Sequence, residues 1–390
     1  MASSSRLRAT LFPLLVVLAL AFPSVTAAYA TVFLLAILWF GQGIADRTLP
    51  ARLARVPAVP VLAVFCVLAV VSGLVCPTPE AALTSLRWLT LLLILPMAAD
   101  LVETPAKALL TLFAVALAGA VEASVGLLQF FRGGDDLSRR IRGSFSHYMT
   151  FSGVTMIAAA VLLGLALEAR GRRRLLLAAA AILPGAATLL TFTRGAYLGL
   201  LGGAVVTLAL RRPRGLLWIP LVLAAILLVS PAKVRDRIVS ISTLRDATSR
   251  ERIAMAQAGR EMVADAPWLG VGPERVPEVY PRYRRPEAVE KEIPHLHDNL
   301  LQVAAELGVP AALAYLVFVV VCFVAAAGRL RRCPRGDAWA GPLSAALLAG
   351  TAVAVAGVFE YNLGDAEVLV PALLVVSVPF AAPKDFEAAP

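Results

Sequence analysis

Three histidines are the only side chains in this 390-residue chain that titrate near neutrality unaided, and all three fall where apolar runs give way to loops. His295 and His297 sit in Pro294-His-Leu-His-Asp-Asn-Leu-Leu-Gln-Val-Ala-Ala-Glu-Leu-Gly308, and His147 in Arg142-Gly-Ser-Phe-Ser-His-Tyr148. A neutral imidazole accepts the proton of a hydroxyl as that oxygen attacks an electrophile, which makes His297 a candidate general base for group transfer. His295 is a candidate binding residue beside it. The two could share a metal ion, but no cysteine or third histidine has suitable spacing, so neither a metal nor a cofactor is expected. His147, in the turn before an apolar run, is a binding candidate whose plain alternative is a helix cap. For His295 and His297 the plain alternative is a structural hydrogen bond at a helix start.

Arginine supplies the second kind of chemistry. Its planar fork of donors matches phosphate oxygens. Arg132, Arg139, Arg140 and Arg142 crowd one short loop, and Arg194 stands alone at the end of an apolar run. Arg252, with Arg250 as the alternative register, lies in a later amphipathic stretch. These positions point to an anion site in which Arg194 would act on the reacting group and Arg252, Arg142 and Arg250 would bind it. The plain alternatives are pairing of the loop arginines with Asp135, Asp136 or lipid headgroups, and snorkelling of Arg252 to water. Asn299, Gln302 and Glu306 recur at i, i+3 and i+7, a polar stripe that either faces a cavity or locks neighbouring helices by hydrogen bonds. Asn299, nearest the histidines, is a binding candidate. Glu122, Glu360 and Asp365 are candidate partners for an outer arginine.

The elements that position these residues are read from composition. Hydrophobic residues make up 59% of the chain, charged ones 16%, and the mean hydropathy is +0.80, more apolar content than one soluble core uses. The chain reads as an all-α, polytopic membrane protein. A formal charge of +10 raises nucleic acid as a partner, but the basic residues come as short clusters between apolar runs (Arg170 to Arg174, Arg211 to Arg214, Arg329 to Arg335), as the positive-inside rule produces. No nucleic-acid partner is expected. The four cysteines suggest neither a disulfide framework nor a CxxC metal site. The first apolar run lacks a convincing cleavage site and is read as a retained helix.

A crossing needs about 20 apolar residues. On that basis the chain divides into about twelve spans: 8–23, 25–42, 57–75, 82–100, 106–131, 149–168, 174–192, 195–210, 215–231, 297–328, 338–358 and 366–382. A turn near Arg194 and Gly195 is needed, because one helix from Leu175 to Leu210 would be about 54 Å long. Alternation from a cytoplasmic N terminus gathers the basic clusters on one side and leaves the loop 132–147 and the stretch 232–296 on the other. The expected organisation is 1–231 as nine transmembrane helices, 232–296 as a large periplasmic loop, and 297–390 as three more helices with a tail. Within the loop, Thr248 to Val263 reads as an amphipathic helix with Met255, Ala256, Gly259, Met262 and Val263 on one face. Trp268 and Leu269 read as membrane-interface anchors.

Five stretches in order, Arg142-Gly-Ser-Phe-Ser-His-Tyr-Met-Thr-Phe, Thr191-Phe-Thr-Arg-Gly-Ala, Ser249-Arg-Glu-Arg-Ile-Ala-Met, Pro267-Trp-Leu-Gly-Val-Gly272 and His297-Asp-Asn-Leu-Leu-Gln-Val-Ala-Ala-Glu-Leu-Gly308, resemble the O-antigen ligase and O-antigen polymerase family of bacterial envelope enzymes. The resemblance covers about residues 110–320. It implies a glycosyltransferase with a GT-C-like bundle in the bacterial inner membrane and an active site facing the periplasm. By similarity the donor is a glycan on undecaprenyl diphosphate, and the acceptor is a glycan or lipid A-core hydroxyl. His297 matches the family's motif histidine, Arg194 its arginine after small hydroxyl residues, and Arg252 its arginine in the loop helix. Asp298 stands where the ligase signature prefers Asn, Ser or Gln, and Ala311 replaces a glycine expected after Gly308.

The expected function is therefore metal-independent glycan transfer of the ligase type, with polymerisation as the alternative within the family. A transporter or flippase is the alternative from another class, and it would call for pseudo-symmetric halves with broken helices near the midplane. This chain instead gathers its candidate chemistry at one end.

Overall fold

The computed structural model describes residues 2–78, 80–133, 135–136, 139–240, 247–286, 288, 290–384 and 386. Helices α1 (Ala2–Ala21), α2 (Val25–Ala45), α3 (Leu49–Ala54), α4 (Val59–Val75), α5 (Glu80–Leu92), α6 (Ile94–Leu101) and α7 (Pro105–Phe131) precede a short antiparallel pair, β1 (Asp135–Asp136) with β2 (Arg139–Arg140). Then come α8 (Tyr148–Glu168), α9 (Gly171–Leu190), α10 (Arg194–Arg211), a 3-10 segment over Pro213–Trp218, and α11 (Ile219–Val229). Helices α12 (Ala232–Val239), α13 (Ala247–Asp265) and α14 (Val276–Tyr283) make up the helical part of the expected outer loop, in which 241–246, 287 and 289 lie outside the described residues. Four more follow: α15 (Asn299–Leu307), α16 (Val309–Arg332), α17 (Ala340–Ala356) and α18 (Ala366–Ala381).

The all-α expectation holds apart from the short β pair. Among the described residues, α2, α7, α8, α9 and α16 are long and apolar enough to cross a membrane, and six further apolar helices are shorter. The structure thus establishes five candidate crossings rather than the full count of about twelve. Large apolar side chains such as Phe33, Leu117, Ile182 and Val324 are exposed on these helices, as lipid-facing surfaces require. The expected turn before Arg194 is present, and Thr191 shapes it: its hydroxyl donates to the Thr188 carbonyl at 2.6 Å and accepts from the Thr193 amide at 3.3 Å.

Three expected spans are interrupted. The stretch 82–100 breaks between α5 and α6, where Pro96 has no amide to offer the Leu92 carbonyl four residues back. The stretch 215–231 begins as a 3-10 turn, and α11 covers 11 residues, about 17 Å at 1.5 Å per residue. The stretch 297–328 breaks at Gly308 into α15 and α16. There the expected outer loop crosses the chain: the Val271 and Gly272 amides donate to the Ala305 and Glu306 carbonyls at 2.8 and 3.0 Å, and the Val309 amide donates to the Pro267 carbonyl at 2.8 Å. Carbonyls that would have continued the helix are taken by the crossing segment.

The crossing depends on two glycines. Gly270 and Gly308 have φ of +66° and +87°, and a Cβ at either would lie 2.2 Å from the backbone of the opposing segment. Ser72 of α4 closes the junction, donating its hydroxyl to the Leu269 and Glu306 carbonyls at 2.7 and 3.1 Å.

Helix α8 lies at the centre, buried along nearly all of residues 149–166, and packs against α7, α9 and α17. Its polar face is satisfied internally: the Thr188 hydroxyl bonds Thr155 at 2.9 Å, and the Thr191 hydroxyl bonds Ser152 at 3.3 Å. At the C-terminal end of α8 the Glu168 carboxylate accepts two bonds from Arg211, at 2.8 and 2.9 Å. The catalytic candidates lie at the other end.

Candidate functional site

The site is built on three supports. The first is the turn before α8. Glu122 of α7 accepts from the Ser144 amide and hydroxyl at 2.9 and 2.7 Å, and Gln129 accepts from the Arg142 and Gly143 amides, both at 3.0 Å. Glu122 therefore holds a turn rather than an arginine. At the end of this turn His147 caps α8, its Nδ1 accepting from the Met149 amide at 3.3 Å.

The second support is α13. Met255, Ala258 and Met262 are buried against Val276, Tyr280, Ile293 and Leu296, forming a small core apart from the main one. This fixes the segment that leads into the histidines and turns Arg252, one helical turn before Met255, toward them. The third support is the junction of α15 with the end of α17. Asp298 caps α15, accepting from the Leu301 amide at 2.8 Å, a task an aspartate performs as well as the amide or hydroxyl residues that the resemblance leads one to expect there. The Asn299 amide donates to the Gly357 carbonyl at 2.8 Å. Gly357 leaves room for this contact, since a Cβ there would lie 2.2 Å from the Asn299 side chain. Glu360, three residues further on, is thereby set beside His297.

These supports enclose a cavity of about 610 Å³ lined by His147, His295, His297, Arg252, Glu360 and Asp365 among others. At its centre the Nδ1 of His297 lies 3.2 and 3.3 Å from the two Glu360 oxygens. The Nε2 of His295 lies 3.8 Å from the same carboxylate and Arg252 Nη2 3.5 Å from it. The two imidazoles meet edge to face with centroids 4.3 Å apart. His297 has φ of +54°, a left-handed backbone that a histidine rarely adopts, and its amide donates to His295 Nδ1 at 3.4 Å. That bond makes Nδ1 of His295 an acceptor and puts the proton of its neutral ring on Nε2.

The electrostatics follow from this crowding. Burial pushes the Glu360 carboxyl up, but the hydrogen bond and charge of His297, with His295 and Arg252, outweigh it and hold the group below the usual carboxylate range. An ionised Glu360 accepts a hydrogen bond from Nδ1–H of the neutral His297 ring, a tautomer that leaves Nε2 with a lone pair. Burial, with His297 beside it, pushes His295 down to about 4, so its ring is neutral at pH 7. Burial also lowers His147 and Arg252 from their ordinary values. Burial raises Asp365 to about 6, against a hydrogen bond from the Thr150 hydroxyl at 2.8 Å.

The candidates from sequence divide accordingly. His297, His295, His147 and Arg252 meet at the cavity. Arg194 stands one layer away: its Nη2 donates to Ser249 at 2.9 Å and its Nη1 to the Ser240 carbonyl at 3.3 Å, tying the start of α10 to α12 and α13. Its charge still bears on Arg252.

Three candidates lie outside the cavity. Arg142 donates to the Ser146 carbonyl at 3.3 Å within its own turn, and Arg250 is exposed on another side of α13, whereas Arg252 lines the cavity. Asn299 is buried, donating to Tyr315 at 3.3 Å and accepting from the Leu363 amide at 3.3 Å. The polar stripe therefore locks elements together, since Gln302 likewise accepts from the Leu296 amide at 2.8 Å. Arg140 lies over the Tyr148 ring at 4.2 Å, while the side chains of Asp135 and Asp136 lie outside the described residues.

Glu360 is the residue that sequence undervalued, as a partner for an arginine only. The available signal was an acid directly after an apolar run, in Phe359-Glu-Tyr-Asn-Leu-Gly-Asp365. His295, His297 and Glu360 bring three potential ligand atoms within 4.8 Å of one another and are the residues that could hold a metal ion. Arg252 already supplies a fixed cation to that carboxylate, which works against a second one there.

Residues 179–316 match the family model described as O-antigen ligase. The match runs from α9 into α16 and takes in Arg194, Arg252 and His297. A comparison with curated proteins returns no match.

Proposed function

We propose that this chain, a membrane protein carrying the O-antigen ligase domain over residues 179–316, transfers a glycan from a lipid diphosphate donor to an acceptor hydroxyl at the histidine cavity. The observation that carries the reading is the Glu360–His297 pair beside Arg252, which puts a proton acceptor and a fixed cation in one cavity. In the reaction the acceptor oxygen forms a bond to the anomeric carbon, and the bond from that carbon to the diphosphate oxygen breaks. The acceptor proton passes to Nε2 of His297, and the ionised Glu360 steadies the imidazolium that results. The electron pair leaves with the diphosphate, whose growing charge Arg252 meets first. Arg194, one layer behind, holds α12 and α13 over the cavity and adds positive potential.

The proposed setting is a bacterial inner membrane with this end facing the periplasm. The outer segment 232–296 acts as the roof of the site between two groups of membrane helices. Ligase and polymerase readings share every step above and differ in the acceptor, a lipid A-core hydroxyl or a second lipid-linked glycan. The test is transfer from purified undecaprenyl-diphosphate glycan in proteoliposomes with EDTA present, each acceptor offered separately. Product with one acceptor from wild type and none from His297→Ala supports the reading and identifies the branch. No product with either acceptor, together with movement of labelled lipid across the bilayer, overturns it in favour of transport.

A further inference from the structure

At the far end of α8 from the histidines, about 31 Å away along its 21 residues, lies a second cavity of about 370 Å³. Arg170, Arg174, Arg212 and Arg335 line it: Arg170 from the connection of α8 to α9, Arg174 from the start of α9, Arg212 from the connection of α10 to the 3-10 turn, and Arg335 from that of α16 to α17. The only acid in the lining is Glu168. Both of its oxygens are already taken by Arg211, at 2.8 and 2.9 Å, and Ser344 donates to one of them at 3.1 Å. The four lining arginines are therefore surplus positive charge. The N-terminus of α9 adds to it, because its N-cap, Arg170, makes no side-chain capping bond and so leaves first-turn amides for a ligand.

Positive charge on a surface loop needs no special account, but convergence on a concavity does. The bidentate Arg211–Glu168 pair, with Arg211 also donating to the Leu330 and Cys333 carbonyls at 3.2 and 2.9 Å, fixes the three connections relative to one another. Arg335 donates to the Arg211 carbonyl at 2.8 Å, anchoring the guanidinium at the rim. The volume holds roughly a dozen waters at about 30 Å³ each, room for a phosphodiester and the glycerol that follows it. Along the chain, Leu175, 71% exposed, directly follows Arg174, and Trp218, 65% exposed, ends the 3-10 segment that begins at Pro213 after Arg212. A guanidinium-lined cup at the end of a buried apolar helix, on segments that also carry exposed apolar side chains, suits a ligand with a phosphate at one end and acyl chains at the other.

We infer that this cavity binds the phosphate of an anionic glycerophospholipid from the leaflet opposite the histidine site. The inference is independent of the transfer reaction. Its test is native mass spectrometry of the full chain from a neutral detergent, offered phosphatidylglycerol or phosphatidylcholine, with millimolar inorganic phosphate as a competitor. The test variant is R170Q/R174Q/R335Q. The control, R172Q/R173Q/R331Q, removes the same charge from exposed arginines outside the cavity. Both must elute as single folded species.

Wild type and control are expected to retain phosphatidylglycerol at least tenfold more than the test variant, with phosphatidylcholine not retained and inorganic phosphate without effect. Equal retention by the test variant, equal loss in the control, or equal retention of phosphatidylcholine overturns the assignment. Displacement by inorganic phosphate overturns the lipid as the ligand and leaves a soluble phosphate in its place.

Discussion

The Nδ1 of His297 faces the Glu360 carboxylate at 3.2 Å, although the two residues are 63 positions apart in the chain. The pair fixes which ring nitrogen is basic, so the two residues act as a unit. Glu360→Gln keeps the shape, and its amide oxygen can still accept from Nδ1–H, but it removes the charge that steadies the imidazolium. We expect glycan transfer to fall on the order of 10²-fold or more, His297→Ala to fall by a comparable factor, and the double variant to be little worse than either. Additive losses in a double-mutant cycle would mean that the two residues act separately.

Arg252 shares Glu360 with His297, and its fork of donors is suited to a leaving diphosphate. Arg252→Ala is expected to lower turnover by about 10²–10³-fold, and Arg252→Lys to recover only part of that, because an ammonium cannot present two parallel bonds. Arg194→Lys should also be impaired, but through the seating of α12 and α13. Limited proteolysis of the outer segment distinguishes the two, with Arg194→Lys cleaved faster and Arg252→Lys cleaved like wild type.

His295 gives a pH signature. Its folded-state value of about 4 lies below the ordinary histidine value of 6.5, so between those limits the unfolded chain binds a proton that the folded chain refuses. Stability contributed by this group is present above pH 6.5 and falls as the pH drops toward 4, by about 3 kcal/mol over the window. Thermal unfolding in detergent across pH 4–7 should show a steeper acid-side loss of Tm for wild type than for His295→Asn. Parallel curves would show that the ring is protonated in the folded state.

Gly308→Ala is expected to cost stability out of proportion to its size. The residue has φ of +87°, and the new Cβ would meet the Trp268 carbonyl at 2.2 Å. Strain of about 1–3 kcal/mol from the backbone alone, with the clash added, predicts a lower yield of folded protein by size-exclusion chromatography. Gly171→Ala is the comparison: its φ is +53°, yet nothing lies within 4 Å of the added atom, so it tests the backbone term by itself.

Much of the arrangement was legible in the sequence because apolar length and charge act locally. The turn before Arg194, the amphipathic α13 and the cluster of histidines at one end all follow from periodicity and composition. What could not be read there is pairing at long range. Glu360 looks like any acid at the end of an apolar run until the contact of Gly357 with Asn299 sets it beside His297. Asn299 and Gln302 have the spacing of a cavity lining, and only the position of Leu363 and Leu296 shows that they bind backbone instead. The apolar pattern continues across the break at Gly308, and its local mark is Gly308-Val-Pro310, where Pro310 has no amide to offer the Glu306 carbonyl. The interruption comes from another segment claiming its carbonyls.

That claim limits how the outer segment can evolve or be engineered. The segment has its own small core around Met255, Met262 and Tyr280, which makes it look like an exchangeable cassette. Yet its backbone is spliced into the ladder of α15 and α16 through Val271, Gly272 and Pro267. A chimera that swaps residues 247–296 alone would mate a foreign segment to a native junction, whereas one that carries 247–310 moves donor and acceptor together.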